Sequence, residues 1–355
     1  MSRGRAFEPL ANGGAVPWAE IPEWSAGEFV EAASQELSRG GRLAAWFGVP
    51  SDGGVRLVAV TAFDSDSSLA VGRSLPLGGS YPSLTPKHPE AHLFEREVWE
   101  QHGLVPEGHP WLKPVRHHAR GGGGGAVGDE GGRGFFEVEG DEIHEVAVGP
   151  VHAGVIEPGH FRFQCDGEEV LHLEIALGYQ HRGVEEALSG GPHLATLFQM
   201  ETLAGDSTVG HATAYAMAME GLAGSDAPLR AQWLRAVALE LERMANHVGD
   251  LGALAGDVAY LPTAAACGRL RGDFLNLTAL LCGNRFGRGL VRPGGCGPDL
   301  DPERAAAMNA GLKTALAESG QAASWLWSSN SVRARFEGTG PVTSETANAL
   351  GLVGP

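Results

Sequence analysis

The sequence predicts an α+β fold: a small α/β N-terminal domain, a Gly-rich linker, then a short β-sheet followed by a mainly helical bundle. Three observations carry this expectation. Short apolar runs separated by Gly-rich turns crowd the chain before Leu75, as short strands do. A glycine tract then interrupts the chain at 120–134. From His193 onward Ala, Leu, Met and Glu recur in long spans, punctuated by Gly224, Pro228, Pro262, Pro293 and Pro302, which is the pattern of a helix bundle.

At 355 residues and 43% hydrophobic content the chain has room for two domains with cores of their own. Its 43 acidic against 26 basic residues, a net charge of −17, exclude nucleic acid as a partner, because polyanion binding rests on Lys and Arg neutralising phosphates. The four cysteines, Cys165, Cys267, Cys282 and Cys296, form no CxxC pair and read as buried or partly buried free thiols. No apolar run approaches the roughly 20 residues of a spanning helix, and the N-terminus lacks a signal-peptide core.

Residues 1 to about 25 are rich in Gly, Pro and Ala and predict a loosely ordered lead-in. Ala26–Leu37 has helical spacing (Phe29, Val30, Ala33, Leu37) and stops at Gly40-Gly41. Leu43–Val49 and Val55–Phe63 predict a hairpin around Ser51-Asp52-Gly53-Gly54, with Ser68–Leu75 as a third strand. The stretch from His88 predicts a helix closed by Gly103, and Gly108-His109-Pro110 a tight turn. The tract at 120–134 holds too few apolar side chains to offset its ordering entropy, so domains are expected at 1–119 and 135–355 with a tether between them. Beyond it, Glu145–Val148 predicts a strand, and Phe161–Cys165 with Glu169–Ala176 a hairpin turning at Asp166-Gly167. Helices are expected at about 193–223, 227–256, 263–282 and 301–328.

Glu95-Arg96-Glu97, Gly103, Gly108-His109-Pro110 and Leu112 resemble the hallmark of the 30 kDa subunit family of respiratory complex I. In that family the segment docks on neighbouring subunits and does no chemistry. Five further stretches resemble the large subunit of energy-converting [NiFe] hydrogenases of the formate hydrogenlyase (hydrogenase-3) kind, and the homologous 49 kDa subunit of complex I. They are Gly149-Pro-Val-His-Ala-Gly with Glu157-Pro-Gly-His-Phe-Arg-Phe; Leu177-Gly-Tyr-Gln-His-Arg-Gly-Val-Glu; His211 with Ala214-Tyr215 and Glu220; Glu242-Arg243-Met-Ala-Asn246-His247; and Gly283 through the Arg292-Pro-Gly-Gly run.

The resemblance implies an oxidoreductase subunit, cytoplasmic and peripheral on the inner face of the cell membrane, that binds no cofactor itself. It implies docking of an iron–sulfur small subunit, among other subunits, through a face with His181, Arg182, Glu185 and Arg292, and a possible quinone-like acceptor. Arg182 would raise the potential of the partner's cluster by its positive charge. Spacing adds that Glu242 and Asn246, like Arg243 and His247, stand i, i+4 on a helix, so four polar groups are expected on one turn.

Departures from the family pattern shape the expected chemistry. Where the hydrogenases carry CGxC, this chain has Ala204-Gly205-Asp206-Ser207, so soft thiolate ligands are missing there and no metal is expected. The second half of the family's ligand set, a C-terminal DPCxxC, is absent, and Arg333–Pro355 resembles the middle of the large subunit, which implies a shortened chain. The quinone-site tyrosine falls at Gly205, the first-loop histidine at Ala153 beside His152, and a later histidine at Gly287. His152, Asp206 and His211 remain to line a cavity and relay protons. Two functions stay open: an electron-transfer subunit without nickel, and a non-catalytic scaffold or assembly subunit that keeps the docking surface.

Overall fold

The computed structural model describes residues 6–115, 136–151 and 158–352. The expected tether at 120–134 lies outside the described residues, as does His152. Two compact units form: β1 to β10 with α10 in one, and α3 to α9 with β11 and β12 in the other.

The first unit opens with β1 (Glu8–Ala11) and β2 (Glu23–Trp24), then α1 (Ala26–Ser38). Among the described residues, from Ala6 on, the lead-in is therefore not loose: β1 pairs antiparallel with β5 and β2 pairs with it parallel, while Phe7 is buried. Pairing with a strand some 60 residues away leaves no periodicity for four- and two-residue strands to show. Strands β3 (Arg42–Ser51), β4 (Gly54–Phe63) and β5 (Ser68–Ser74) complete a five-stranded sheet ordered β1-β5-β4-β3, with β2 on β5. Asp52-Gly53 makes the expected tight turn, with Ser51 opposite Gly54. Ser25 and Glu28 form a capping box at the start of α1. Across its inner face run Phe7, Phe29, Trp46 and Tyr81, adjacent rings 4.9–6.2 Å apart.

β6 (Ser80–Pro82) and β7 (Val105–Glu107) pair parallel around α2 (His92–His102), which ends on left-handed Gly103 as expected. Glu95 and Arg96 of the ERE segment point into their own unit. The Glu95 carboxylate accepts from Ser83 Oγ, Leu84 N, Thr85 N and Thr85 Oγ1 at 2.5–3.1 Å, and Arg96 donates to the Lys113 and Pro114 carbonyls. Strands β8 (Ile143–Val151), β9 (Gly159–Asp166) and β10 (Glu169–Ala176) make a separate three-stranded antiparallel sheet, β10-β9-β8.

In the second unit, α3 (Val184–Ala187) and α4 (Thr196–Met200) lead to α5 (Thr208–Ala223), α6 (Leu229–Asp257) and α7 (Leu261–Cys282). A small hairpin, β11 (Val291–Arg292) and β12 (Gly295–Cys296), precedes α8 (Pro302–Ser328) and α9 (Asn330–Phe336); α10 is Ser344–Ala349. The single helix expected over 193–223 is broken at 201–207, where an irregular loop is held by tertiary hydrogen bonds that periodicity cannot report.

Alternating three- and four-residue steps carry the core. Leu234, Ala238, Leu241, Ala245 and Val248 face in from α6, and Cys267, Leu270, Phe274, Leu277 and Leu281 from α7. Small residues set the helix spacing: a Cβ on Gly252 would lie 2.9 Å from Cys267 Cβ, and one on Gly311 2.9 Å from Leu277 Cδ2. All four cysteines are free; Cys165 and Cys267 are buried, and Cys282 and Cys296 half-buried.

Candidate functional site

The polar groups of the second unit converge where the 201–207 loop meets the first turn of α5. α5 begins at Thr208 with no side-chain cap from Ser207, and its first N–H groups point at α6. Glu242 meets them: its carboxylate accepts from Val209 N at 2.7 Å and Gly210 N at 3.0 Å. Burial raises the Glu242 pKa and outweighs those two bonds and the pull of His211, which act the other way; Asp206 adds to the rise.

One turn on, Asn246 Nδ2 donates to the Asp206 carbonyl at 2.8 Å. From α7, Arg271 Nη2 pairs with Asp206 Oδ1 at 2.8 Å, its stem lying over Gly249, where a Cβ would come within 3.1 Å of Arg271 Cδ. These groups, with Gly205, Thr208, Arg285 and Phe286 around a floor of Val209, Ala245, Leu275 and Thr278, line a shallow cleft. His211 closes the first turn of α5, its Nδ1 2.8 Å from the Ser207 carbonyl; a carbonyl only accepts, so Nδ1 is the donor.

The loop is tied from its other side by Arg182, whose Nη2 donates to the Thr202 and Leu203 carbonyls at 2.6 and 3.0 Å. Its neighbour His181 accepts from Gly183 N through Nδ1, and left-handed Gly183 opens α3, which carries Glu185. Buried Glu201 accepts from Gly289 N at 2.7 Å and from Thr208 Oγ1 through its carbonyl. The 283–297 stretch thus runs alongside α5. At its far end Arg235 grips Glu220 through two bonds, at 3.1 and 2.6 Å, and reaches the Arg292 and Gly295 carbonyls, so the Arg292-Pro-Gly-Gly turn is fixed. The Arg235 guanidinium holds Glu220 below the usual carboxylate range.

The structure therefore gathers Asp206 and His211 at one end of α5 and sets Arg182 behind the same loop. Arg292 stands elsewhere: its hairpin packs by Glu220, eleven residues or roughly 16 Å along the helix from Val209. The expected four-group polar turn also divides. Glu242 and Asn246 face the cleft, whereas Arg243 and His247 are exposed and Arg243 pairs with Glu240, because i and i+1 positions diverge by about 100° around a helix. Sequence reasoning did not select Glu242, Arg271 and Arg285 as site residues. The i, i+4 pair Glu242/Asn246 was the available signal for the first; Arg271, on a core helix, offered none.

The donor set at the loop does not suit a soft metal pair: Ala204 and Ser207 offer no thiolate. Burial raises the pKa of Cys282, whose Sγ donates to the Thr278 and Asn284 carbonyls, so it rests as a thiol. Among the described residues no group of three or more His, Cys, Asp or Glu is placed to hold a metal ion.

Residues 42–119 match the family of the respiratory-chain NADH dehydrogenase 30 Kd subunit, and residues 257–355 that of its 49 Kd subunit. The chain carries both subunit domains in one polypeptide. The 49 Kd match takes in α7, Arg271, Arg285 and the β11–β12 hairpin; Asp206, His211 and Glu242 precede it.

Formate hydrogenlyase subunit 5 of Escherichia coli is 32% identical over 240 residues, covering 62% of this chain and 42% of the relative. Hydrogenase-4 component G of the same organism is 27% identical over 292 residues, covering 76% of this chain and 50% of the relative. The chain thus spans about half the length of these curated relatives. A chain in the structure of the membrane-bound sulfane sulfur reductase, an archaeal respiratory membrane complex, shares the fold, with TM-score 0.50 and 21% identity over 56% of this chain and 53% of that one. No helix among the described residues is long and apolar enough to cross a membrane.

Proposed function

We propose that the chain is an electron-transfer subunit of a membrane-associated complex of the hydrogenase and NADH-quinone oxidoreductase kind, working without a nickel–iron pair. The carrying observation is the 201–207 loop: Arg182, Asn246 and Arg271 brace it, yet Ala204 and Ser207 present no thiolate. On this reading the chain lies peripherally on the inner face of the membrane. His181, Arg182 and Glu185 face an iron–sulfur cluster held by a partner subunit, Arg182 raising its potential by charge, and Arg292, at the other end of α5, stands apart from them. A quinone-like acceptor takes electrons by the cleft, and Glu242 and His211 move protons to it. Asp206, ion-paired to Arg271, orients the loop, and His152 stays a candidate proton donor.

Purifying the assembled complex, measuring its iron and nickel, and assaying reduction of a soluble quinone test this. The expected result is iron with substoichiometric nickel, and quinone turnover lowered at least tenfold by Glu242→Gln with the complex intact, the usual worth of a positioned acid–base group being 100-fold or more. Stoichiometric nickel overturns the nickel-free reading. An intact complex with no turnover on quinone or hydrogen favours the scaffold, a reading the missing thiolates also support.

A further inference from the structure

The three-stranded sheet of β8, β9 and β10 is turned inside out within its own unit. On one face Arg162 pairs with Glu145 at 2.5 Å and with Glu174 at 3.4 Å. The segment before β8 lies over that charged face: Phe136 N donates to Glu174 at 3.0 Å, Val138 N to Gln164 at 2.6 Å, and the Phe136 ring lies 4.4 Å from His172.

The opposite face is apolar across all three strands. Val146, Phe163 and Leu173 form one row in register, and Val148, Phe161 and Ile175 the next. The outer-strand members stay 42–47% exposed. An antiparallel sheet ordinarily buries its apolar face and wets its polar one, and a contiguous exposed apolar face marks an interaction site.

Charge identifies what fits it. At the end of the sheet where Ile143 stands opposite Asp166, the turn adds exposed Glu168 and Glu169, and the residues just before β8 add exposed Asp141 and Glu142. Between residues 134 and 181 the only Lys or Arg is Arg162, which faces the other way. The rim is acidic and, among the described residues, uncompensated.

We propose that this face docks another polypeptide, one presenting an apolar strip bordered by Lys and Arg. The apolar rows supply the buried centre, and the carboxylates steer and orient the partner.

The test places a photo-crosslinking amino acid at Ile175, and separately at Leu173, in the full chain within its native assembly; both sites are half exposed, so the sheet survives substitution. Adducts are mapped by mass spectrometry. The expected product joins Ile175 to a peptide of a different polypeptide in which apolar residues alternate with or adjoin Lys or Arg. Reversing the rim with Glu168→Lys and Glu169→Lys then weakens association with that identified partner about tenfold at low salt, and changing the partner's crosslink-adjacent Lys or Arg to Glu restores it. An adduct to the chain's own helices, to a second copy, to lipid, to a partner peptide without basic residues, or no adduct at all overturns the proposal, as does insensitivity to rim reversal.

Discussion

Gly287 and Val209 leave no space for a side chain between them: a Cβ on Gly287, whose φ is +74°, would lie 2.4 Å from Val209 Cγ2. The loop that follows α7 can pass the first turn of α5 only because this position is glycine. The resemblance to the 49 kDa family places a histidine here, so a side chain at this point requires the start of α5, and with it the Glu242 contacts, to move. Gly287→Ala should destabilise the protein by about 2–4 kcal/mol, from left-handed strain and overpacking together. Adding Val209→Ala should recover the steric share and leave the strain; urea unfolding of the single and double variants checks this, and no recovery would refute the contact.

Glu242 gives the helical unit a pH dependence whose sign is fixed. Burial raises its pKa when folded above the unfolded value of about 4.3, so the folded state holds the proton more tightly. That contribution is complete below about pH 4.3 and is lost as pH rises through the folded pKa. The stability advantage of the wild type over Glu242→Gln should therefore shrink with rising pH across this window and level off above it. Urea midpoints from pH 4 to pH 8 measure it, and an advantage that grows with pH would contradict the assignment.

Glu95 should be among the costliest positions of the N-terminal unit. Its carboxylate is fully buried and accepts four hydrogen bonds from residues 83–85, so glutamine keeps one accepting oxygen and turns an amide N–H₂ toward a donor. Glu95→Gln should cost about 2–4 kcal/mol. Trp46 lies in the aromatic row of the same unit, so its fluorescence during urea unfolding follows the loss; a change under 1 kcal/mol would show that the loop does not depend on this carboxylate.

Local chemistry was legible in the sequence and long-range pairing was not. The Ser51–Gly54 hairpin, the Gly103 stop and the Asp166-Gly167 turn are short-range devices, and each stands where residue type and spacing predict. β1 and β2 escaped because their stabilisation comes from β5, and the 201–207 break escaped because Arg182, Asn246 and Arg271 impose it from other elements. At the site, motifs located Asp206, His211 and Arg182 by resemblance. Neither motif nor periodicity could show that Arg292 lies at the opposite end of α5, since the 283–297 stretch reaches there by irregular backbone. Arg271 was hidden by its helix, whose apolar steps gave the stronger pattern.

Arg182 braces the 201–207 loop and, on the proposed function, also faces a partner's redox centre; its contacts allow the two roles to be separated. One nitrogen of its guanidinium holds the Thr202 and Leu203 carbonyls, which are backbone atoms of the loop carrying Asp206. Removing the side chain should loosen that loop without unfolding the unit, because Arg182 is exposed and is not a member of the buried apolar core built on α6 and α7. Two bonds from a charged donor in a solvated setting are worth roughly 1–1.4 kcal/mol, so amide exchange over 202–206 should quicken about five- to tenfold in Arg182→Ala while α6 amides are unchanged. Arg182→Lys keeps the charge but forfeits the planar fork, so it should loosen the loop nearly as much while leaving any influence of positive charge on a partner's redox centre in place. If Arg182→Lys shifts that centre's potential as far as Arg182→Ala does, the effect travels through the loop. If only the alanine variant shifts it, the charge itself acts on the partner.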